Sequence, residues 1–497
     1  MRKARRADLR RIPELDGFRT ILVFIVSWYH IWQQSWLTPR VGDVSLDFLV
    51  RSGYMPVDGT ILLSGFLLFL PYARSMAAGE DLPDRRDFYR RRVMRIFPSY
   101  YFLLLTVLLA VVIPFRLYTS AQFAVKDLFT HLTFTFMFSV DTYMATQLGA
   151  ACWTLALEMQ AYLLFPFVAK WVMKRPVQTL GAMILASFAW RGFWVWSVHE
   201  YAMVVNQLPS FLDVYALGIM GAMAYVRIRR SPVRREWLRQ AIATAVLGIC
   251  LWAVIRLLRG QASEPSYAMI QRGQMIRRFP FAALLLGIVL SLPFAVRPVR
   301  FLMGNRLMGF LAGVSMNYYL IHQIVAVHLK RLGIPASASA TPHYDSERPW
   351  QYAYTFLTFG LSLLLAVLVT YLVEKPAAKW LRGWFARRDA RRVDRMRSAL
   401  RTHLADCPIA AGDQVLLESF GGAPETVALL VEMIGSTGGE VQVQLRDPQV
   451  DGAMRAFSPE EPPLPDCRVY VAVGEIPPGR QRQLDQAEGL RWIRIPS

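Results

Sequence analysis

Phe18-Arg19-Thr20-Ile21-Leu22-Val23-Phe24-Ile25-Val26-Ser27-Trp28-Tyr29-His30-Ile31-Trp32-Gln33-Gln34-Ser35-Trp36 is an apolar run with an arginine near one end and a histidine deep inside it. Its length is close to the ~20 residues that span a bilayer as a helix. Arg19 and His30 stand eleven positions apart. At about 100° per residue, eleven steps return to nearly the same helix face. Along the axis the two groups lie roughly 16 Å apart, about half a bilayer. Ionisable groups at such depth are costly and mark function by default.

The rest of the chain agrees with a membrane setting. Of 497 residues, 54% are hydrophobic and 14 are tryptophan, too apolar and too long for one soluble domain. The net charge of +20 would suit nucleic acid, but the basic residues cluster in short connections between apolar runs, the positive-inside pattern. No zinc-ligand spacing or aromatic-rich RNA motif accompanies them, so nucleic acid is not an expected partner. Cys152, Cys250, Cys407 and Cys467 show no paired spacing, which argues against a disulfide framework and a cysteine metal site. The basic residues before Phe18 resemble a signal n-region, but no small-residue cleavage site follows, so the run is expected to stay as a first helix.

Apolar runs fall at about 18–36, 55–72, 97–115, 152–173, 179–198, 209–227, 241–258, 279–295, 307–329 and 353–374. Connection 74–97 carries seven arginines and is expected inside, whereas 116–151 has only Arg116 and Lys126 and faces out. Ten spans satisfy the alternation, with both termini cytoplasmic in a cell (inner) membrane. Residues 125–140 are too short to span and read as an interfacial or re-entrant piece on the outer side. The fold class is an all-α polytopic membrane protein of about ten transmembrane helices with a small C-terminal cytoplasmic α/β domain. The divisions are 1–375 for the membrane core, 376–404 for a basic amphipathic helix on an anionic inner leaflet, and 405–497 for the soluble domain. In the last, 415–417, 441–445 and 468–473 read as strands and 426–434 as a helix.

Five polar segments stand out within the core. His30 is either a neutral histidine bonded within a bundle or a general base, and Arg19 either snorkels or holds a ligand. Asp58 either complements a helix dipole or serves a site, as does Ser64 beside Gly65, a pair that equally suits close helix packing. Arg90, Arg91, Arg92 and Arg95 anchor a helix on the inside. Their helical spacing also suits a multiply phosphorylated ligand arriving from the cytoplasm. Glu158, in Trp153-Thr154-Leu155-Ala156-Leu157-Glu158, needs a partner or a proton within the membrane. Ser315, Tyr318, Tyr319 and His322 precede Glu374, which is expected to pair with an inner-face arginine. Gly309 and Gly313 suit tight helix packing, and His322 reads as structural.

Leu15-Asp16-Gly17-Phe18-Arg19 leading to Tyr29-His30 resembles the opening helix of the acyltransferase-3 family. Ser64-Gly65-Phe66, Phe88-Tyr89-Arg90-Arg91-Arg92, Trp153 through Glu158 to Tyr162, Tyr319 to His322 and Glu374-Lys375-Pro376 are similar to its later signatures, in the same order, over roughly residues 10–382. The resemblance implies a ten-helix core with an acyl-CoA co-substrate, often acetyl-CoA, bound from the cytoplasm. It also implies a carbohydrate or glycolipid hydroxyl as acceptor, and Arg19 and His30 as the central pair. The chain departs from the family at Gly59-Thr60-Ile61, where many members carry bulky aromatics. It departs again at Ala156, Leu157 and Met159, where a second acidic residue often stands.

These readings lead to an expected mechanism. CoA phosphates dock on the arginines at 90–95, Arg19 secures the donor, and His30 removes the acceptor's proton or forms an acyl-histidine. Glu158 orients the imidazole or balances its developing charge, and Ser64 or Trp153 donates to the oxyanion. No metal and no bound cofactor are expected. The alternative is a transporter or flippase for a glycolipid or lipid-linked sugar, although paired broken helices that would favour it are not found. Residues 405–497, with a faint likeness to the non-catalytic half of certain metallo-aminopeptidases, are open to ligand sensing, a cytoplasmic partner or stabilisation of the fold.

Overall fold

The computed structural model describes residues 12–79, 83–149, 152–197, 201–232, 235–405, 407–420, 424–446, 467, 469–474, 476–487 and 490–495. The chain divides into two compact units, residues 1–379 and 380–497.

The first unit is helical. Helix α1 (Pro13–Ser35) starts with proline at its first position, where the missing N–H costs no hydrogen bond. A two-residue hairpin follows, β1 (Arg40–Val41) and β2 (Val44–Ser45), and then the short helix α2 (Asp47–Arg51). Next come α3 (Val57–Ala78) and α4 (Arg85–Val107), which runs on through a π-turn at Leu108–Val112. Asp84 caps α4, its carboxylate accepting from the Asp87 N–H at 3.1 Å. The 125–140 region forms α5 (Ala121–Leu132), a 3₁₀ turn at Phe136–Phe138 and α6 (Val140–Met144). At ~1.5 Å per residue, none of these pieces reaches across a bilayer. The remaining helices are α7 (Trp153–Lys174), α8 (Pro176–Ser197), α9 (Leu212–Arg230), α10 (Glu236–Ala262), α11 (Tyr267–Ser291), α12 (Arg297–Gly304), α13 (Arg306–Arg331) and α14 (Arg348–Val369).

Among the described residues, eight helical segments are long and apolar enough to cross a membrane. Helices α1 and α8 have spanning length, 23 and 22 residues, but are not among those eight. Two close approaches fix the bundle. A Cβ on Gly17 would stand 2.1 Å from the Met303 carbonyl oxygen, so only glycine lets α12 lie against α1. A Cβ on Gly218 would stand 2.4 Å from the Leu62 oxygen, which brings the α9 and α3 backbones together. Gly65 meets the Tyr215 backbone at the same contact, so close packing is its role. Gly313, expected to permit tight packing, faces open space instead.

In the second unit, helix α15 (Lys375–Ala405) precedes β3 (Gln414–Phe420), α16 (Pro424–Gly435), β4 (Glu440–Arg446), β5 (Val469–Gly474), α17 (Pro478–Gln486) and β6 (Arg491–Ile495). The strands form one parallel sheet in the order β4-β3-β5-β6. Alternating strands and helices over a parallel sheet match the α/β expectation. Met396, Leu400 and Leu404 of α15 pack into the core around Val415, Leu430 and Val471. Arg392 and Arg397 pair with Glu425 and Glu432. The end of this helix therefore packs part of its apolar side on the small domain.

Candidate functional site

Five helices converge on a cavity of about 330 Å³. Helical spacing decides which side chains reach it. Helix α1 supplies Arg19 and Val23, one turn apart. Helix α3 supplies Thr60, Ser64 and Leu67, and α4 supplies Arg92 and Arg95. Helix α7 supplies Leu155, Glu158 and Tyr162, and α13 supplies Ser315 and Tyr319. Three guanidiniums and one carboxylate thus share a pocket walled by leucines and aromatic rings.

The charges are held in place by neighbours. Glu158 Oε2 accepts from the Tyr162 hydroxyl at 2.9 Å. Arg19 lies within the fields of Asp16, Arg95 and Glu158. Arg95 forms an ion pair with Glu374, whose other oxygen accepts from Asn317 Nδ2 at 2.7 Å. The expected pairing of Glu374 with an arginine is therefore present, and the arginine is Arg95. Arg92 stacks between the rings of Phe88 and Tyr162, 5.5 and 5.3 Å from their centroids, which leaves its edge for a ligand. A cluster of arginines around a narrow apolar slot can hold phosphates at its mouth and an apolar arm within.

The residues singled out in the sequence separate into those at the cavity and those away from it. Arg19, Ser64, Arg92, Arg95 and Glu158 line the cavity; Arg90 and Arg91 do not. Arg91 is exposed and faces Asp87 at 3.9 Å, so it does not share the cavity-facing side of Arg95. Trp153 packs against Phe211, with ring centroids 6.2 Å apart. Asp58 is fully buried elsewhere, paired with Arg278 at 3.3 Å. Arg278 also donates to the Val205 carbonyl at 2.7 Å and lies over the Phe211 ring at 3.8 Å. A second buried pair, Arg191 with Asp213, shares the Ser210 carbonyl with Arg278. Sequence reasoning missed both arginines. The signal was there: Arg278 stands at an apolar run expected to begin outside, against the positive-inside pattern, and Arg191 lies within an apolar run, so each calls for a buried partner.

His30 does not line the cavity. It sits seven residues beyond Val23 on α1, roughly 10 Å further along the axis. Its Nδ1 faces Gln33 Oε1 at 3.0 Å, and Gln323 Nε2 lies 3.5 Å away. The His322 ring is 5.3 Å from the His30 ring, centroid to centroid. The Tyr319 ring, which does line the cavity, is 5.4 Å from His322. Arg19 and His30 are thus linked through Tyr319 and His322 rather than by one open space. Among the described residues, no group of three or more His, Cys, Asp and Glu side chains is placed to hold a metal ion.

Residues 12–373 match the model of the acyltransferase domain named for acyltransferase-3. Among curated proteins, the chain is 27% identical over 391 residues to the "Putative peptidoglycan O-acetyltransferase YrhL" of Bacillus subtilis, covering 74% of this chain and 55% of that one. It is 26% identical over 216 residues to the "Putative acetyltransferase ORF330" of Acidianus two-tailed virus, covering 43% and 58%. It is 29% identical over 175 residues to the O-acetyltransferase OatA of Staphylococcus aureus, covering 33% and 26%. The chain spans little more than half the length of these relatives at most. No solved structure matches it.

Proposed function

The chain belongs to the acyltransferase-3 family and is a multi-pass membrane acyltransferase, and we propose that it moves an acyl group, acetyl in the first instance, from cytoplasmic acyl-CoA to a hydroxyl of a carbohydrate or glycolipid of the cell envelope. In this reading α1 and α8 complete ten spans in the inner membrane, with both termini cytoplasmic. The membrane core is residues 1–375, and 405–497 form a cytoplasmic domain open to a partner.

The observation that carries the reading is the cavity lined by Arg19, Arg92 and Arg95 within an apolar bundle. The three guanidiniums meet the phosphates of CoA, and the slot toward Tyr319 takes the pantetheine arm. The thioester arrives at the aromatic end of the cavity. His30 beyond it takes the hydroxyl proton as the oxygen attacks the acyl carbon, worth ~10²–10⁴-fold in rate. Glu158 balances charge at the donor end, and Ser64 serves the donor rather than the base. Relatives named as O-acetyltransferases support the acyl-transfer chemistry; nothing found supports transport of a glycolipid.

The test is thiol release from acetyl-CoA by purified protein, with a methyl glycoside as soluble acceptor. Wild-type protein is expected to release CoA. Arg92→Ala should raise the acetyl-CoA KM about 10- to 100-fold, the worth of a hydrogen bond to a charged group. Release independent of both Arg92 and His30 would overturn the reading.

A further inference from the structure

Two imidazoles, not one, stand between the cavity and the far end of α1. Hydrogen bonds assign the tautomer of each. His322 is fully buried, and its Nδ1 lies 3.3 Å from the Tyr318 carbonyl oxygen, to which it donates. That leaves Nε2 as a lone pair, and this atom is buried without a hydrogen-bond partner. Two amides face His30 Nδ1, Gln33 Oε1 at 3.0 Å and Gln323 Nε2 at 3.5 Å; donation to the nearer one, Gln33, leaves Nε2 as the lone pair. A buried acceptor without a donor costs stability, and His322 Nε2 beside the His30 ring, with centroids 5.3 Å apart, suits a proton passed between the two imidazoles.

We infer that His322 is a second proton-transfer residue of this acyltransferase, carrying the proton taken by His30 back to the departing CoA sulfur. The inference rests on the acyl-CoA reading above. It gives the proton a route, since His30, which takes it, does not line the cavity, while the sulfur that needs it belongs to the donor held there. The step balances. The acceptor O–H bond breaks as His30 Nε2 takes the proton, and the acceptor oxygen bonds the acyl carbon as the C–S bond breaks. The proton then passes to His322 Nε2 and ends on sulfur, giving ester and free CoA thiol. Gln33, oriented by its own donation to the Tyr29 hydroxyl at 2.9 Å, holds His30 in register for this passage.

The experiment compares wild type with His322→Gln, which keeps a hydrogen-bond acceptor but cannot carry a proton. CoA release is followed in mixtures of light and heavy water, with a methyl glycoside as acceptor. Wild type is expected to give a curved dependence of kcat on deuterium fraction, the mark of more than one proton in flight. His322→Gln should give a straight line, with kcat down about 100-fold and the acetyl-CoA KM unchanged. Should His322→Gln fail to fold, recovery of His322→Gly by added imidazole tests the same proton transfer. A straight line for wild type, an unchanged curve in His322→Gln, or no recovery by imidazole overturns the inference. Absence of any release by wild type would instead strike the acyl-CoA reading itself.

Discussion

Residue by residue, the charges inside the bundle fall into a set that lines the cavity and a set paired away from it. Arg19, Arg92, Arg95 and Glu158 line the cavity, and their residue types and helical spacing made them legible in the sequence. Asp58 was legible as a buried carboxylate but not as the partner of Arg278, because a pairing 220 positions apart leaves no local pattern. Asp58→Ala should destabilise the protein by ~3–5 kcal/mol, since it strands a guanidinium with no exposed surface. Asp58→Leu with Arg278→Leu should recover much of that loss, read as thermal unfolding in detergent. Equal losses in the single and double variants would show that the pair does not carry the cost. The spacing of Arg19 and His30 showed a common face but not Tyr319 and His322 between them. That wall comes from α13, some 290 residues downstream.

At the scale of elements, close approach and capping explain what the apolar pattern alone does not. Gly17 sits where any side chain would strike the Met303 backbone. Gly17→Ala is therefore expected to push α12 from α1 and cost ~1–3 kcal/mol, while Gly313→Ala, facing open space, should be nearly neutral. Equal effects in the two variants would contradict this packing. The piece from α5 to α6 was legible as too short to span, but its internal lock was not. Burial opposes the Asp127 carboxylate. Hydrogen bonds from His131, Tyr118 and Thr146 outweigh that and hold it below its ordinary pKa. A carboxylate so depressed adds stability above the unfolded pKa of about 3.9 and loses it as pH falls through the lower folded value. Asp127→Asn should thus be destabilised at pH 7, and its gap from wild type should close below about pH 4. A gap independent of pH would contradict the lock.

The whole molecule joins a membrane-embedded unit to a parallel α/β unit. The small domain's alternating strands and helices were legible from composition and period, but the contribution of α15 to its core was not, because the basic residues of that helix read as a membrane surface signal. The proposed topology places residues 116–120 outside and 83–95 inside. Thr119→Cys should react with a membrane-impermeant maleimide in intact cells, and Asp84→Cys only after permeabilisation. The reverse pattern would invert the donor side and separate the arginine cavity from cytoplasmic CoA.

The most direct measurement supplies radiolabelled acetyl-CoA to inside-out membrane vesicles carrying this protein and follows label into envelope carbohydrate and glycolipid. Wild-type vesicles are expected to incorporate label, and His30→Ala vesicles to lose at least ~10²-fold of it while still binding CoA. Incorporation unchanged in His30→Ala, or equal in vesicles lacking the protein, would contradict acyl transfer through His30.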